Sequence, residues 1–268
     1  MSAVEVKIIG KVVITADIRT LTGLRIGGSS EGLKIGGVDA RVIRDPWDRP
    51  YIPGSSIKGK LRNLLERKLN LPIEKGETQV NEHRCQELED YKKCPVCKIF
   101  GLTLKKPFEE TILTRLIARD TYLDENSVRA LPAVEPTLTE IKTEIMIDRR
   151  TGTTGGKGAG GLRQIERVPA GAVFTPAEFI FNIYEEADKD LLKHLFEAMA
   201  LLEDDYLGGM GSRGYGKVKL ENIKIWWNKV EDYENGTLEL NENRRINNNW
   251  NTPQLLIQNF GELKSKLT

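Results

Sequence analysis

The chain has 268 residues, of which 39% are hydrophobic, and a formal net charge of +1. That length can bury a full core, while no apolar run approaches the ~18 residues that a membrane span needs. A charge so close to balance excludes nucleic-acid binding through a global positive field, so any such binding must come from local patches. The start, MSAVEVKIIG, lacks a signal-peptide pattern, and three cysteines, an odd number, favour thiol or metal chemistry over a disulfide framework. A cytoplasmic protein without membrane contact is expected.

Residues Lys11–Arg19 alternate, with Val12, Ile14, Ala16 and Ile18 on one face and Lys11, Thr15, Asp17 and Arg19 on the other, the pattern of a half-buried strand. The strand runs into LTGLRIGGSSEGLKIGGVD, a long glycine-rich connection that carries Arg25 and ends on the carboxylate of Asp39. Connections of this length inside a compact domain are usually functional or disordered. After a proline-punctuated turn, Gly54-Ser55-Ser56 opens a helix with Ile57, Leu61, Leu64, Leu65 and Leu69 at helical spacing and Ser55 or Ser56 in position to cap it. Lys58, Lys60 and Arg62 follow, Lys58 and Arg62 four apart. A helix N-terminus with free amides, two hydroxyls and aligned cations suits a phosphate, and a capped helix with a solvated basic face is the plainer alternative.

The next segment gathers all three cysteines. His83, Cys85, Cys94 and Cys97 form H-x-C followed, after eight residues, by C-P-x-C. A Cys-Pro-x-Cys knuckle supplies two thiolates from a tight turn, and the upstream pair closes a tetrahedron with no open position, which predicts structural zinc. A redox CxxC or a chance cluster are the alternatives.

Thr111–Leu123 reads as a second strand with Arg115 and Arg119 interspersed. Lys142–Asp148 and Arg163–Val168 read as the arms of a hairpin with a mobile, glycine-rich tip at Gly152–Gly161; its excess of basic residues, Arg149 and Arg150 included, fits nucleic acid better than a bare surface arm. A third strand, Ala172–Tyr184, precedes a helix over Asp188–Leu202 with Leu191, Leu192, Leu195, Phe196, Met199 and Leu202 on one face. The acids crowded between Glu185 and Asp205 are expected to face solvent or a protein partner, away from phosphate, and His194 to be a surface residue without a role. Gly209–Gly214 fits GxGxxG and Gly211–Lys217 fits GxxxxGK. The first follows a helix and precedes a strand, the reverse of the dinucleotide-binding order, and Val218 stands where the second needs Ser or Thr. What remains is a glycine run (Gly209, Gly211, Gly214) whose amides can approach a backbone phosphate, with Arg213 and Lys217 beside it. A last strand, Val218–Trp227, leads into an Asn-rich tail and a short apolar helix, Leu255–Leu263, expected to dock on the body.

The order is α+β, βαββαβ, the ferredoxin-like or RRM-like plan. The motifs at Thr20–Gly27, Gly36–Pro46, Ile52–Arg62, Cys94–Gly101, Ile147–Gly152, Arg163–Gly171 and Gly208–Val218 together carry a specific likeness. Over about residues 4–228 the sequence resembles the RAMP superfamily of CRISPR proteins, and within it the repeated backbone subunits of type III-A (Csm) effector complexes. The resemblance implies a RAMP palm core (4–73, 102–123 and 170–228), a zinc-binding insertion (74–101), a β-hairpin thumb (124–169) and a C-terminal extension (229–268).

It further implies that copies of the chain stack into a helical filament along a CRISPR guide RNA. The palm grips the guide, the thumb kinks the guide–target duplex at regular intervals, and a loop aspartate cuts the complementary target RNA with a divalent metal, magnesium or manganese. Carried over by position, Asp39 is catalytic, and Ser55, Ser56, Lys58, Lys60, Arg62 and the Gly208–Gly216 loop with Ser212 contact RNA, with Arg149 and Arg150 on the thumb. Arg25, also placed at the RNA, stands where some relatives carry histidine, which weakens any imidazole-base mechanism here. Implied partners are the large cyclase-bearing subunit, the small subunits and a guide-end-capping RAMP subunit. The competing readings are a catalytically silent filament subunit, the backbone subunit of the related type III-B complex, and a guide-processing RAMP nuclease, disfavoured because those enzymes usually rely on histidine.

Overall fold

Alternation along the first strand is what sets the layers. In the computed structural model, which describes residues 7–27, 41–75, 81–102, 113–131, 137–154, 162–236, 238 and 240–268, β1 (Gly10–Thr20) buries Val12, Ile14, Ala16 and Ile18 on one face and leaves Lys11, Thr15, Asp17 and Arg19 half-exposed on the other. The chain continues through α1 (Gly54–Lys68), α2 (Pro95–Phe100), β2 (Leu116–Ala118), β3 (Glu140–Ile145), β4 (Leu162–Arg167), β5 (Val173–Ile183), α3 (Asp188–Asp204) and β6 (Val218–Lys229). One sheet has the order β6-β1-β5-β2 with every neighbouring pair antiparallel. α1 and α3 pack side by side, and the main core lies between them and the sheet. Each fully buried Leu, Ile or Phe there contributes roughly 1.5–3 kcal/mol. Among the described residues no helix is long and apolar enough to cross a membrane.

Helix α1 buries Ile57, Leu61, Leu64 and Leu65 as its spacing requires. Its start differs from expectation. Pro53 occupies the cap position and no serine side chain caps the helix; the Gly54 amide donates instead to Asp120 Oδ1 at 2.8 Å. Gly54 is needed because a Cβ there would sit 2.2 Å from the Ala118 carbonyl oxygen. The same contact explains why the strand expected over Thr111–Leu123 is short: after Ala118 the chain turns Asp120 toward α1, and Thr121–Tyr122 pairs with Tyr51–Ile52 instead.

The acidic helix α3 also departs from expectation. Asp190 and Asp204 face solvent as expected, as do Glu185 and Glu186 just before the helix, but other acids serve the interior and its neighbours. Asp188 is fully buried, with Oδ1 accepting from Arg115 Nε at 3.1 Å and Oδ2 from the Tyr184 and Glu185 amides. Asp205 pairs with Lys60 at 3.3 Å, Glu197 with Lys68 and Asp190 with Lys264. Two ion pairs, Lys60–Asp205 and Lys68–Glu197, thus tie the basic helix to the acidic segment, an arrangement that linear charge runs do not reveal. His194 is half-exposed against Glu197.

Strands β3 and β4 form the expected hairpin, with Glu140 opposite Arg167 and Ile145 opposite Leu162. Beyond β3 the described part is an ordered turn in which Asp148 accepts from the Arg150 and Thr151 amides; residues 155–161 of the expected tip lie outside the described residues. The expected C-terminal helix is split in two, Pro253–Gln258 and Phe260–Ser265, and both pieces pack on α3, Phe260 meeting Phe196 edge to face.

Candidate metal cluster and nucleic-acid interface

The Cys-Pro turn builds the first site locally. Cys94 caps α2 with Pro95 at the first helical position, which aims its sulfur back at the Cys97 amide, 3.4 Å away. His83 Nε2 lies 3.5 Å from Cys85 Sγ and 3.4 Å from Cys94 Sγ, and the ligand atoms of His83, Cys85, Cys94 and Cys97 all fall within 4.8 Å of one another. Nδ1 of His83 is 3.0 Å from the Pro72 carbonyl oxygen, a contact that makes Nδ1 the protonated nitrogen and leaves the Nε2 lone pair facing the sulfurs. All four residues are buried. The Cys97 thiol beside it pulls Cys94 down to about 5, whereas burial pushes Cys85 up to about 12 and the Cys94 sulfur raises Cys97. Three sulfurs and an imidazole nitrogen, closed off from solvent, fit a tetrahedral metal ion with no coordination position left for substrate.

The second site is assembled from distant segments. The glycine run after α3 is fastened to the chain after β1: Gly209 N donates to Arg25 O at 2.8 Å, Gly216 N to Gly23 O at 2.9 Å and Lys217 N to Thr22 Oγ1 at 3.0 Å. Gly208 adopts φ +77, and a Cβ would lie 2.2 Å from Arg25 O, so only glycine permits this approach. The Arg25 guanidinium lies beside Gly27 and Gly209, its buried Nε without a hydrogen-bond partner among the described residues. Gly211–Arg213 forms a 3-10 turn that leaves Ser212, Arg213 and Gly214 exposed, with Lys217 exposed just beyond it.

Asp39 lies outside the described residues. Its flanks are well placed: Gly27 pairs with Val42, and Ile43 N donates to Ile26 O at 2.9 Å, so the chain leaves and returns beside Arg25. Buried Glu166 of β4 holds that return, accepting from Val42 N at 2.8 Å, from Thr139 Oγ1 at 2.9 Å and from Arg44. Burial pushes the Glu166 carboxyl up, but these three donors outweigh it and the net shift is downward.

Tyr215 joins the glycine run to the hairpin. Its hydroxyl donates to Glu144 Oε1 at 2.8 Å, while Lys142 and Arg167 lie over its ring at 4.6 and 4.9 Å. Burial and the Glu144 carboxylate lift this phenol to about 12. Around the contact opens a cleft lined by Lys142, Ile145, Met146, Arg149, Arg163 and Arg213. Arg149 and Arg150 are exposed on the turn.

The basic residues of α1 are less free than their spacing predicts. Ser55 is exposed and Ser56 half-buried in the first turn. Lys58 Nζ donates to Leu116 O at 2.9 Å, and burial together with Arg62 lowers its ammonium. Lys60 lies 3.8 Å over the Tyr206 ring besides pairing with Asp205. Arg62 is engaged by Glu66 and by carbonyl oxygens of the cysteine segment. Glu166, Glu144, Tyr206 and Tyr215 escaped the sequence reading. The motifs RQIER and RGYG marked the segments of Glu166 and Tyr215, but nothing local separates a buried, bridging carboxylate from a solvated one.

A protein-family model described as the RAMP superfamily matches residues 17–219. The CRISPR system Cms endoribonuclease Csm3 of Methanocaldococcus jannaschii is 44% identical over 96% of this chain and 93% of its own length. The protein of the same name from Streptococcus thermophilus is 36% identical over 80% of this chain and 89% of its own. Among solved structures, the chain is similar to one in the crystal structure of a Csm3-Csm4 subcomplex in the type III-A CRISPR-Cas interference complex, with TM-score 0.56, 34% identity, and coverage of 96% and 97% of the two chains. It shares its fold with Methanopyrus kandleri Csm3, TM-score 0.65 at 21% identity, covering 97% and 99%.

Proposed function

The chain belongs to the RAMP superfamily, and from that premise we propose that it is the repeated backbone subunit of a type III-A CRISPR ribonucleoprotein, an endoribonuclease that holds guide RNA and cuts complementary target RNA at regular intervals. The sheet order, with α1 and α3 packed together over it, supports a ferredoxin-like palm. Residues 74–101 are then its zinc-binding insertion, 124–169 its thumb and 229–268 its extension. The ion of the cysteine cluster is zinc, with a structural role, and elemental analysis should find about one per chain. The partners are guide RNA, target RNA, further copies in a helical filament and the other type III-A effector subunits.

One observation carries the reading: the glycine run and both ends of the Asp39 segment meet at Arg25, and Tyr215 ties the same glycine run to the hairpin that bears the basic cleft. A phosphate at this junction meets loop amides, Arg25, Ser212, Arg213, Gly214 and Lys217, while exposed Ser55, half-buried Ser56 and exposed Arg149 and Arg150 offer further polar groups to the RNA. Lys58 and Lys60 reach RNA by exchanging the internal partners described above.

Cleavage is attack of a ribose 2′-oxygen on the adjacent phosphorus. The P–O2′ bond forms, the P–O5′ bond breaks, and the products are a cyclic phosphate and a 5′-hydroxyl. Asp39 takes the 2′-proton or holds a divalent ion, magnesium or manganese, which when bound lowers the pKa of that hydroxyl. The kinked target supplies the in-line geometry. In a reconstituted complex, Asp39→Ala should lower the cutting rate about 10²–10⁴-fold with assembly and target binding retained. Unchanged cutting would move the nuclease to another subunit and leave this chain a silent filament protein; loss of assembly together with cutting would make Asp39 a turn cap.

A further inference from the structure

Two of the four metal-ligand candidates, Cys94 and Cys97, sit on the Cys-Pro knuckle and Cys85 belongs to the upstream pair, whose other member, His83, is held by α1. Its amide donates to Glu66 Oε1 at 3.2 Å, its carbonyl accepts from Arg62 Nη2 at 2.7 Å, and its Nδ1 meets the carbonyl of Pro72, just beyond the helix. Glu66 is buried and is itself fixed by Arg62 Nε at 2.9 Å. The same guanidinium donates through Nη1 to Gly101 O at 3.1 Å, and Gly101 closes α2, the helix that carries Cys97. One planar fork thus reaches both sides of the ligand set, its three nitrogens donating to three different acceptors, with Glu82 Oε2 also 3.5 Å from Nη1. A lysine, a point charge with one nitrogen, cannot reproduce this.

We propose that Arg62 and Glu66 are positioning residues of the metal site, which hold His83 by its own backbone against the knuckle and make α1 part of the metal centre. This rests on the reading of the cluster as a zinc site. It assigns Arg62, which its spacing and the family resemblance placed among RNA contacts, to the metal site. Partners of metal ligands that do not touch the metal typically change affinity 10–100-fold when removed.

The experiment uses the full chain loaded with zinc and titrated with a chromogenic chelator, in parallel with cobalt(II) substitution, whose visible bands report ligand geometry. Arg62→Ala should lower zinc affinity about 10–100-fold and alter the cobalt bands. Glu66→Gln, whose amide oxygen still accepts from the His83 amide, should do less. Two controls separate positioning from general weakening. Arg67→Ala removes an exposed cation of the same helix, and Leu256→Ala loosens the core at the far C-terminal helix; both should keep wild-type zinc affinity. Wild-type affinity and bands in Arg62→Ala, or an equal loss in Leu256→Ala, overturns the proposal. If Arg62→Ala does not fold, Arg62→Lys replaces it, and wild-type affinity there overturns the proposal equally. A wild-type chain that takes up no zinc or cobalt removes the zinc reading itself, a different outcome from wild-type loading that the variants leave unaltered.

Discussion

The cysteine cluster and the loop junction at Arg25 gather polar groups in opposite ways. The first draws its ligands from a span of fifteen residues, His83 to Cys97, and buries all of them. The second collects Arg25, the base of the Asp39 segment, the hairpin and the glycine run from four separate stretches, and leaves the lining arginines exposed. A closed ligand set converts binding energy into fold stability. An open set of loops on a rigid sheet leaves its donors free for a partner, with stability supplied by the scaffold beneath. Damage to the first should therefore appear as melting, and damage to the second as altered function or local opening.

The contrast can be broken most forcefully at Cys94. Cys94→Ser removes a buried sulfur ligand and the cap of α2 together, and we expect the melting temperature to fall by about 10 °C or more, which corresponds to roughly 3–5 kcal/mol for a chain of this size. Calorimetry in zinc-containing buffer measures it, and an unshifted melt would mean that the cluster is not a stability element.

A smaller effect is expected where the Asp39 segment meets the hairpin. The folded carboxyl of Glu166 is lowered, so its contribution to stability is present above the unfolded value of about 4.3 and is lost as pH falls through the folded value. The protection of the Val42 amide, its exchange rate measured against the intrinsic rate at each pH, should fall as pH drops below the unfolded value of about 4.3, and Glu166→Gln should remove that pH dependence. Protection that stays unchanged in acid would mean that the carboxylate does not hold the return strand.

Least disruptive is Tyr215→Phe. It deletes one hydrogen bond to Glu144 while keeping the ring beneath Lys142 and Arg167, at a cost of about 0.5–1.5 kcal/mol. Exchange should quicken in β3 without a comparable shift of the global melt. A large global shift would show that the hairpin and the core unfold as one unit, and the contrast between the two regions would fail.

The sequence was most legible where chemistry is local. Alternation in β1, the heptad-like burial of α1 and α3, the hairpin pairing and the four-residue metal set all follow from spacing over a few turns or a few strand residues. Errors arose wherever a partner came from far along the chain. Asp120 took the capping role expected of Ser55 or Ser56, and by doing so cut the second strand short. Asp188 looked like a solvated acid and proved to be the buried partner of Arg115.

By itself the sequence determined which segments form elements, which four residues can hold a metal and, through its motifs, the family to which the chain belongs. Periodicity and short-range ligand spacing are properties of neighbouring residues, so they survive without coordinates. Only the tertiary structure decided which charges are spent. Packing α1 against α3 paired Lys60 and Lys68 with acids more than a hundred residues away, and turning Arg62 toward His83 and Gly101 tied it to the cysteine segment. A charge is free for RNA only if no opposite charge or carbonyl has been folded within reach of it. That condition depends on distances of a few ångström between residues distant in sequence, which chain order does not encode locally.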